Sequence, residues 1–133
     1  MESTSPNLSG WRHFAWYHSP VILYAAIIIG VSSVPYLRTP QLQVIAFDKL
    51  AHLCEYAVFA FLVFRSFTHM PKALNPQYAF LFAAAFVAAF AVFDEFCQQF
   101  VPGRFSSGLD IMADLAGGLL VLAFFELRRR RRG

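Results

Sequence analysis

Six of the eight acidic residues stand at the mouths of apolar segments: Asp48, Glu55, Asp94, Glu95, Asp110 and Asp114. Long apolar segments normally exclude carboxylates, because burying the ionised form in hydrocarbon costs several kcal/mol. Around these six stand Lys49, His52, Tyr56, Gln98, Gln99, Arg104 and Ser107. Three kinds of chemistry suit such a set. Asp and Gln oxygens can accept hydrogen bonds from sugar hydroxyls while Lys49 and Arg104 hold an anionic group. His52 or Glu95 can serve as a general base. Carboxylates with a single imidazole can also hold a hard divalent cation such as Mg, Mn or Ca.

These side chains need elements that bring them to one place. Asp48, His52 and Glu55 are spaced i, i+4, i+7 and share a helix face, as do His52 and Tyr56 at i, i+4. Asp94 with Gln98, Glu95 with Gln99, and Asp110 with Asp114 repeat the four-residue step. The carriers are four apolar segments, near residues 20–36, 45–67, 78–100 and 109–127. The segment starting at Ile45 is interrupted in its first half by Asp48, Lys49, His52 and Glu55, then is purely apolar from Ala57 to Phe64. Pro20 suits a first helical turn. Pro35 with Pro40, then Pro71 with Pro76, then Pro102 with Gly103 mark the connections. Ala84 with Ala88, Ala85 with Ala89, and Ala113 with Gly117 are small-residue steps that let helices approach closely. The expected fold is all-α: a polytopic membrane protein built as a bundle of four transmembrane helices. Residues 1–18 read as a cytoplasmic or interfacial leader carrying Trp11, Phe14, Trp16, Tyr17 and His18, 19–127 as the membrane domain, and 128–133 as a basic cytoplasmic tail.

Composition agrees. The chain has 133 residues, 58% hydrophobic and 14% charged, where soluble domains carry about 25% charged residues. The net charge of +3 is unevenly placed, with five of eleven basic residues in the run Arg128 to Arg132. Directly after an apolar helix such a run marks a cytoplasmic end rather than a nucleic-acid site. With both termini inside, eight of the eleven Lys and Arg residues are cytoplasmic and three (Arg38, Lys49 and Arg104) are outside. The acidic cluster then lies at the extracytoplasmic face. The apolar stretch after Pro20 lacks a small-residue cleavage site and is expected to remain as a membrane helix. Cys54 and Cys97 follow no metal or disulfide spacing and read as small buried hydrophobes.

The strings Asp48-Lys49-Leu50-Ala51-His52, with Tyr56 four residues on, and Asp94-Glu95-Phe96-Cys97-Gln98-Gln99-Phe100-Val101-Pro102-Gly103-Arg104 resemble two motifs of the VanZ-like membrane proteins. Ser107, Asp110, Asp114 and Gly117 resemble a third. Order and spacing cover residues 32 to 120. That family often carries Asn where this chain has Asp114. The resemblance implies a small protein of the bacterial inner membrane with a site near its outer surface. It also implies a link to glycopeptide-antibiotic resistance, for which the family is named.

Binding is favoured over catalysis, because no G-x-S-x-G or H-E-x-x-H nucleophile or metal motif is present. The expected ligand is a cell-envelope component, such as a lipid-linked precursor or its headgroup, held by Asp48, Lys49, His52, Glu55, Tyr56, Asp94, Glu95, Gln98, Gln99, Arg104, Ser107, Asp110 and Asp114. The alternative is an intramembrane hydrolase or transferase using His52 and Glu95. A third reading makes the charges structural, with Lys49 and Arg104 paired to carboxylates. Membrane lipids are expected partners and nucleic acid is not. No cofactor or resident metal is expected. Even so, six carboxylates against Lys49 and Arg104 leave a formal charge of −4, which shared protons, a charged His52 or a divalent cation would relieve. Functional groups of this kind are expected to be separable from folding, so that His52→Ala, Glu95→Gln and Arg104→Ala spare stability.

Overall fold

The computed structural model describes residues 8–35, 42–70 and 74–132. They form five helices: α1 (Leu8–Tyr17), α2 (Ser19–Ser32), α3 (Leu42–Thr68), α4 (Pro76–Gln98) and α5 (Gly108–Arg130). There is no strand among the described residues. Four segments are long and apolar enough to cross a membrane: Gly10–Ser32, Phe47–Thr68, Pro76–Gln98 and Gly108–Arg130. The protein is therefore an all-α, polytopic membrane protein.

The first crossing differs from expectation. The aromatic leader is not separate from it, because α1 runs into α2 through His18, which keeps helical backbone angles (φ −107°, ψ −37°). The N–H of His18 donates to the Phe14 carbonyl at 2.9 Å. Pro20 lies in the first turn of α2, where its missing N–H has no partner to lose. The segment stops at Ser32 rather than near Tyr36; Ser33 caps it, its N–H donating to the Ile29 carbonyl at 2.9 Å. Tyr36, Arg38, Pro40, Pro71 and Lys72 lie outside the described residues.

The other helix starts follow local chemistry. Asn75 caps α4 by accepting the Gln77 N–H at 3.1 Å, and Pro76 opens the helix. Ser107 caps α5 by accepting the Leu109 N–H at 3.2 Å. Asp110 stands in the first turn of α5 and Arg128, Arg129 and Arg130 in its last, each sign at the end the helix dipole favours.

α3 packs against each of the other four helices. The core is Ile28 from α2, Tyr56, Phe59, Ala60 and Val63 from α3, Ala83, Val87 and Ala91 from α4, and Leu122 from α5. Large apolar side chains such as Leu23, Phe82, Phe93, Leu120 and Phe124 point outward, as a lipid-facing surface requires. The inward small residues of α4 are Ala79, Ala83 and Ala91. Ala84 and Ala88 are half-buried and Ala85 and Ala89 exposed, so the expected steps are off by about one residue in helical phase. Gly117 does mediate a close approach: a Cβ there would collide with the Leu53 carbonyl of α3. A Cβ on Gly118 would lie 2.9 Å from Val87 Cγ1. The two cysteines are free, but Cys54 is exposed on the outer face rather than buried.

Antiparallel packing collects the start of α3, the end of α4, the start of α5 and the end of α2 at one end. The opposite end is tied by Arg65, which donates to the Trp16 carbonyl at 2.9 Å and lies 4.8 Å above the Tyr17 ring.

Candidate functional site

Each helix entering the acid-rich end brings one polar stripe, and the stripes meet between helices. From α3, His52 Nδ1 lies 2.9 Å from Asp114 Oδ1 of α5. One turn earlier, Lys49 forms an ion pair with Asp110 of α5 and lies 3.3 Å from Asp48 Oδ2. The i, i+3 step from Lys49 to His52 on α3 and the i, i+4 step from Asp110 to Asp114 on α5 make these two pairs successive rungs, brought close by Gly117 on Leu53. Asp110 and Asp114 are 0% and 1% exposed, and His52 8%.

A second cluster joins α2 to α4. Ser32 Oγ donates to Asp94 Oδ2 at 2.8 Å, and Gln98 Nε2 donates to the same oxygen at 3.0 Å. Gln98 Nε2 also lies 3.3 Å from Ser32 Oγ. Ser32 is not among the residues that spacing alone points to. Its only sequence signal is a hydroxyl at the end of an apolar span, at the depth of the acidic cluster. Glu95 accepts the backbone N–H of Ser107, tying the end of α4 to the cap of α5.

Arg104, paired to a carboxylate on the structural reading, donates to backbone carbonyls among the described residues. Its Nε donates to the Ser32 carbonyl at 3.2 Å and Nη2 to the Val31 carbonyl at 3.0 Å. It therefore adds a donor to the carbonyls in the last turn of α2, where the helical ladder runs out. Gln99 is exposed on the 99–107 connection, where its Nε2 lies 3.5 Å from Ser106 Oγ. It stands apart from the buried set. Ser107 acts through its backbone and as a helix cap. Glu55 is half-buried and within electrostatic range of His52, Asp94, Asp114 and Arg104.

Several buried atoms lack a hydrogen-bond partner among the described residues: Tyr56 OH, Asp94 Oδ1, Glu95 Oε2 and Gln98 Oε1. Tyr56 is fully buried and within electrostatic range of Asp94, Glu95 and Asp114. An unmet buried polar atom costs about 1–3 kcal/mol, so these four form a polar cluster whose hydrogen bonds the described residues do not complete. Three of the four are acceptors.

Asp48, His52 and Asp110 bring one potential ligand atom each within 4.8 Å of the others. Two carboxylates and an imidazole fit Mg, Mn or Ca better than a thiolate-seeking metal. The Lys49 ammonium already sits on Asp110 and beside Asp48, supplying at that point the positive charge a cation would bring.

A family model described as VanZ/LLP1 matches residues 3–129, nearly the whole chain. No curated protein and no solved structure gives a match.

Proposed function

This chain belongs to the VanZ/LLP1 family, and we propose that its acid-rich end binds the polar headgroup of a cell-envelope component anchored in the outer leaflet. The observation that carries this reading is the set of unmet buried atoms Asp94 Oδ1, Glu95 Oε2, Gln98 Oε1 and Tyr56 OH. They also narrow the ligand. Arg104 is engaged by the carbonyls of α2 and Lys49 by Asp110, so little donor capacity remains for an anion. The spare capacity is for accepting hydrogen bonds, which suits a saccharide rich in hydroxyls or a headgroup carrying an amine. The family's link to glycopeptide resistance is consistent with such a ligand at the cell surface.

Native mass spectrometry of protein released from its own membranes in mild detergent tests the reading. A saccharide- or amine-bearing lipid should remain bound to the unmodified chain and be lost from Gln98→Leu and Glu95→Gln. Retention unchanged in both variants, or no retained ligand at all, would refute it.

The membrane is taken as the bacterial inner membrane with both termini cytoplasmic, on the excess of Lys and Arg at one end. In a background lacking Cys54 and Cys97, Ser106→Cys should react with an impermeant thiol reagent in intact cells and Asn75→Cys should not. The reverse pattern would place the acidic cluster inside.

One observation favours a catalytic reading. Asp114 holds His52 by Nδ1, which leaves Nε2 to act as a base, an arrangement common to hydrolases and transferases. On that reading Asp114→Asn would keep the ligand bound but lose its turnover. A ligand recovered unaltered from the unmodified chain would count against it.

A further inference from the structure

At the end opposite the acidic cluster, α3, α4 and α5 border an open groove of about 700 Å³. Its apolar floor is Phe64 and Phe125, whose rings stack at 6.0 Å between centroids. Thr68 and Pro76 bound one side, and Arg128, Arg129 and Arg132 form the rim. The local charge is one-sided. Glu126 is the sole carboxylate at this end among the described residues, and it is held by Arg129 at 2.7 and 2.9 Å and by Arg130 at 2.8 Å. Arg128 and Arg132, four residues apart at the close of α5, remain exposed on the rim.

We propose that this groove binds an anionic phospholipid, its phosphodiester between Arg128 and Arg132 and an acyl chain along Phe64 and Phe125. An ordinary lipid-facing surface would provide only the apolar floor. Here two guanidinium groups stand where the floor ends, at the level a headgroup would occupy. A guanidinium matches phosphate oxygens as a two-pronged donor, and basic pockets at the ends of membrane helices select anionic headgroups. A zwitterionic lipid would bring its own ammonium against the arginines. A soluble anion would leave the apolar floor unused, so the lipid is the occupant that fits both parts. This proposal does not depend on what the acid-rich end binds.

The test uses the full chain in neutral detergent, titrated with phosphatidylglycerol or phosphatidylcholine and read by native mass spectrometry. Phosphatidylglycerol should be retained in preference to phosphatidylcholine. Arg128→Gln with Arg132→Gln should weaken that retention about thirtyfold, at the usual strength of two basic residues acting on an anionic headgroup. Arg12→Gln with Arg131→Gln removes the same net charge away from the groove and should weaken it by less than about threefold. Equal losses in the two double variants would mean diffuse attraction and overturn the site. Equal retention of the two lipids would also overturn it. If inorganic phosphate displaces the lipid at comparable concentration, the groove is a simple anion site and the lipid assignment fails. Thermal unfolding without added lipid should be the same for both double variants, confirming that each is folded.

Discussion

Asp114 reaches His52, 62 residues away in sequence. Glu126, three turns further along the same helix, reaches no farther than Arg129 and Arg130. Both carboxylates are covered and both are paired, yet the pairs do different things. Those at the acid-rich end cross between helices: His52 to Asp114, Lys49 to Asp110, Ser32 to Asp94, Glu95 to the Ser107 backbone. They fix the rotation and depth of α2, α3, α4 and α5 relative to one another. The Glu126 pairs lie within one helix and fix nothing beyond it. Charge that is drawn inward organises the bundle, whereas charge that stays on its own helix is left to face a partner from outside.

The largest effect is expected from His52→Ala. It strands Asp114, 1% exposed, without its partner. Removing one member of a buried pair typically costs about 3–5 kcal/mol, and thermal unfolding in detergent should show a loss of that size. Pairing between buried groups thus reverses the expectation that His52 is separable from folding. Asp114→Asn keeps an acceptor for His52 and removes a buried charge, so it should cost less than about 1 kcal/mol. A small effect of His52→Ala would mean that the interhelical pair contributes little.

Gly117→Ala is next. The added methyl meets the Leu53 backbone rather than a movable side chain, so α3 and α5 must separate and both rungs between them lengthen. A cost near the upper end of the roughly 1–3 kcal/mol seen for overpacking is expected. Gly118→Ala meets the Val87 side chain at 2.9 Å, which can turn away, and should cost about 1 kcal/mol. Equal melting temperatures for the two variants would contradict the close approach at Leu53.

A smaller effect sharpens the role of Lys49. With its ammonium on Asp110, added Mg²⁺, Mn²⁺ or Ca²⁺ should barely move the melting temperature of the unmodified chain. Lys49→Met vacates that place beside Asp48, His52 and Asp110, and the same ions should then stabilise the variant by mass action. Strong stabilisation of the unmodified chain, lost in Asp110→Asn, would instead make the centre a metal site. The smallest effect belongs to the other end: Glu126→Gln should leave thermal unfolding unchanged within measurement, because its partners are on its own helix.

Much of this arrangement is legible without coordinates. Four apolar stretches in a chain of 14% charged residues dictate membrane helices, because hydropathy and length are properties of the sequence alone. The placement of Asp48, Asp94 and Asp110 at segment mouths, with alternating helix direction, already puts them at one end. The four-residue spacings give the stripes. What spacing leaves open is which stripe meets which, since that depends on how each helix is turned about its axis. A helix advances about 100° per residue, so an error of one position moves a side chain from the interior to lipid. That is why Ala83 rather than Ala84 faces inward, and why Cys54 faces out.

The helical class, the membrane setting and the gathering of carboxylates at one end follow from patterns within single segments. That Arg104 serves the carbonyls of α2, that Ser32 joins Asp94, and that Asp114 rather than Asp48 holds His52 are consequences of packing. Those choices rest on contacts between helices distant in sequence. The close seat of Gly117 on Leu53 fixes the rotation of α5 against α3, and the pairing of every polar group between them follows from it.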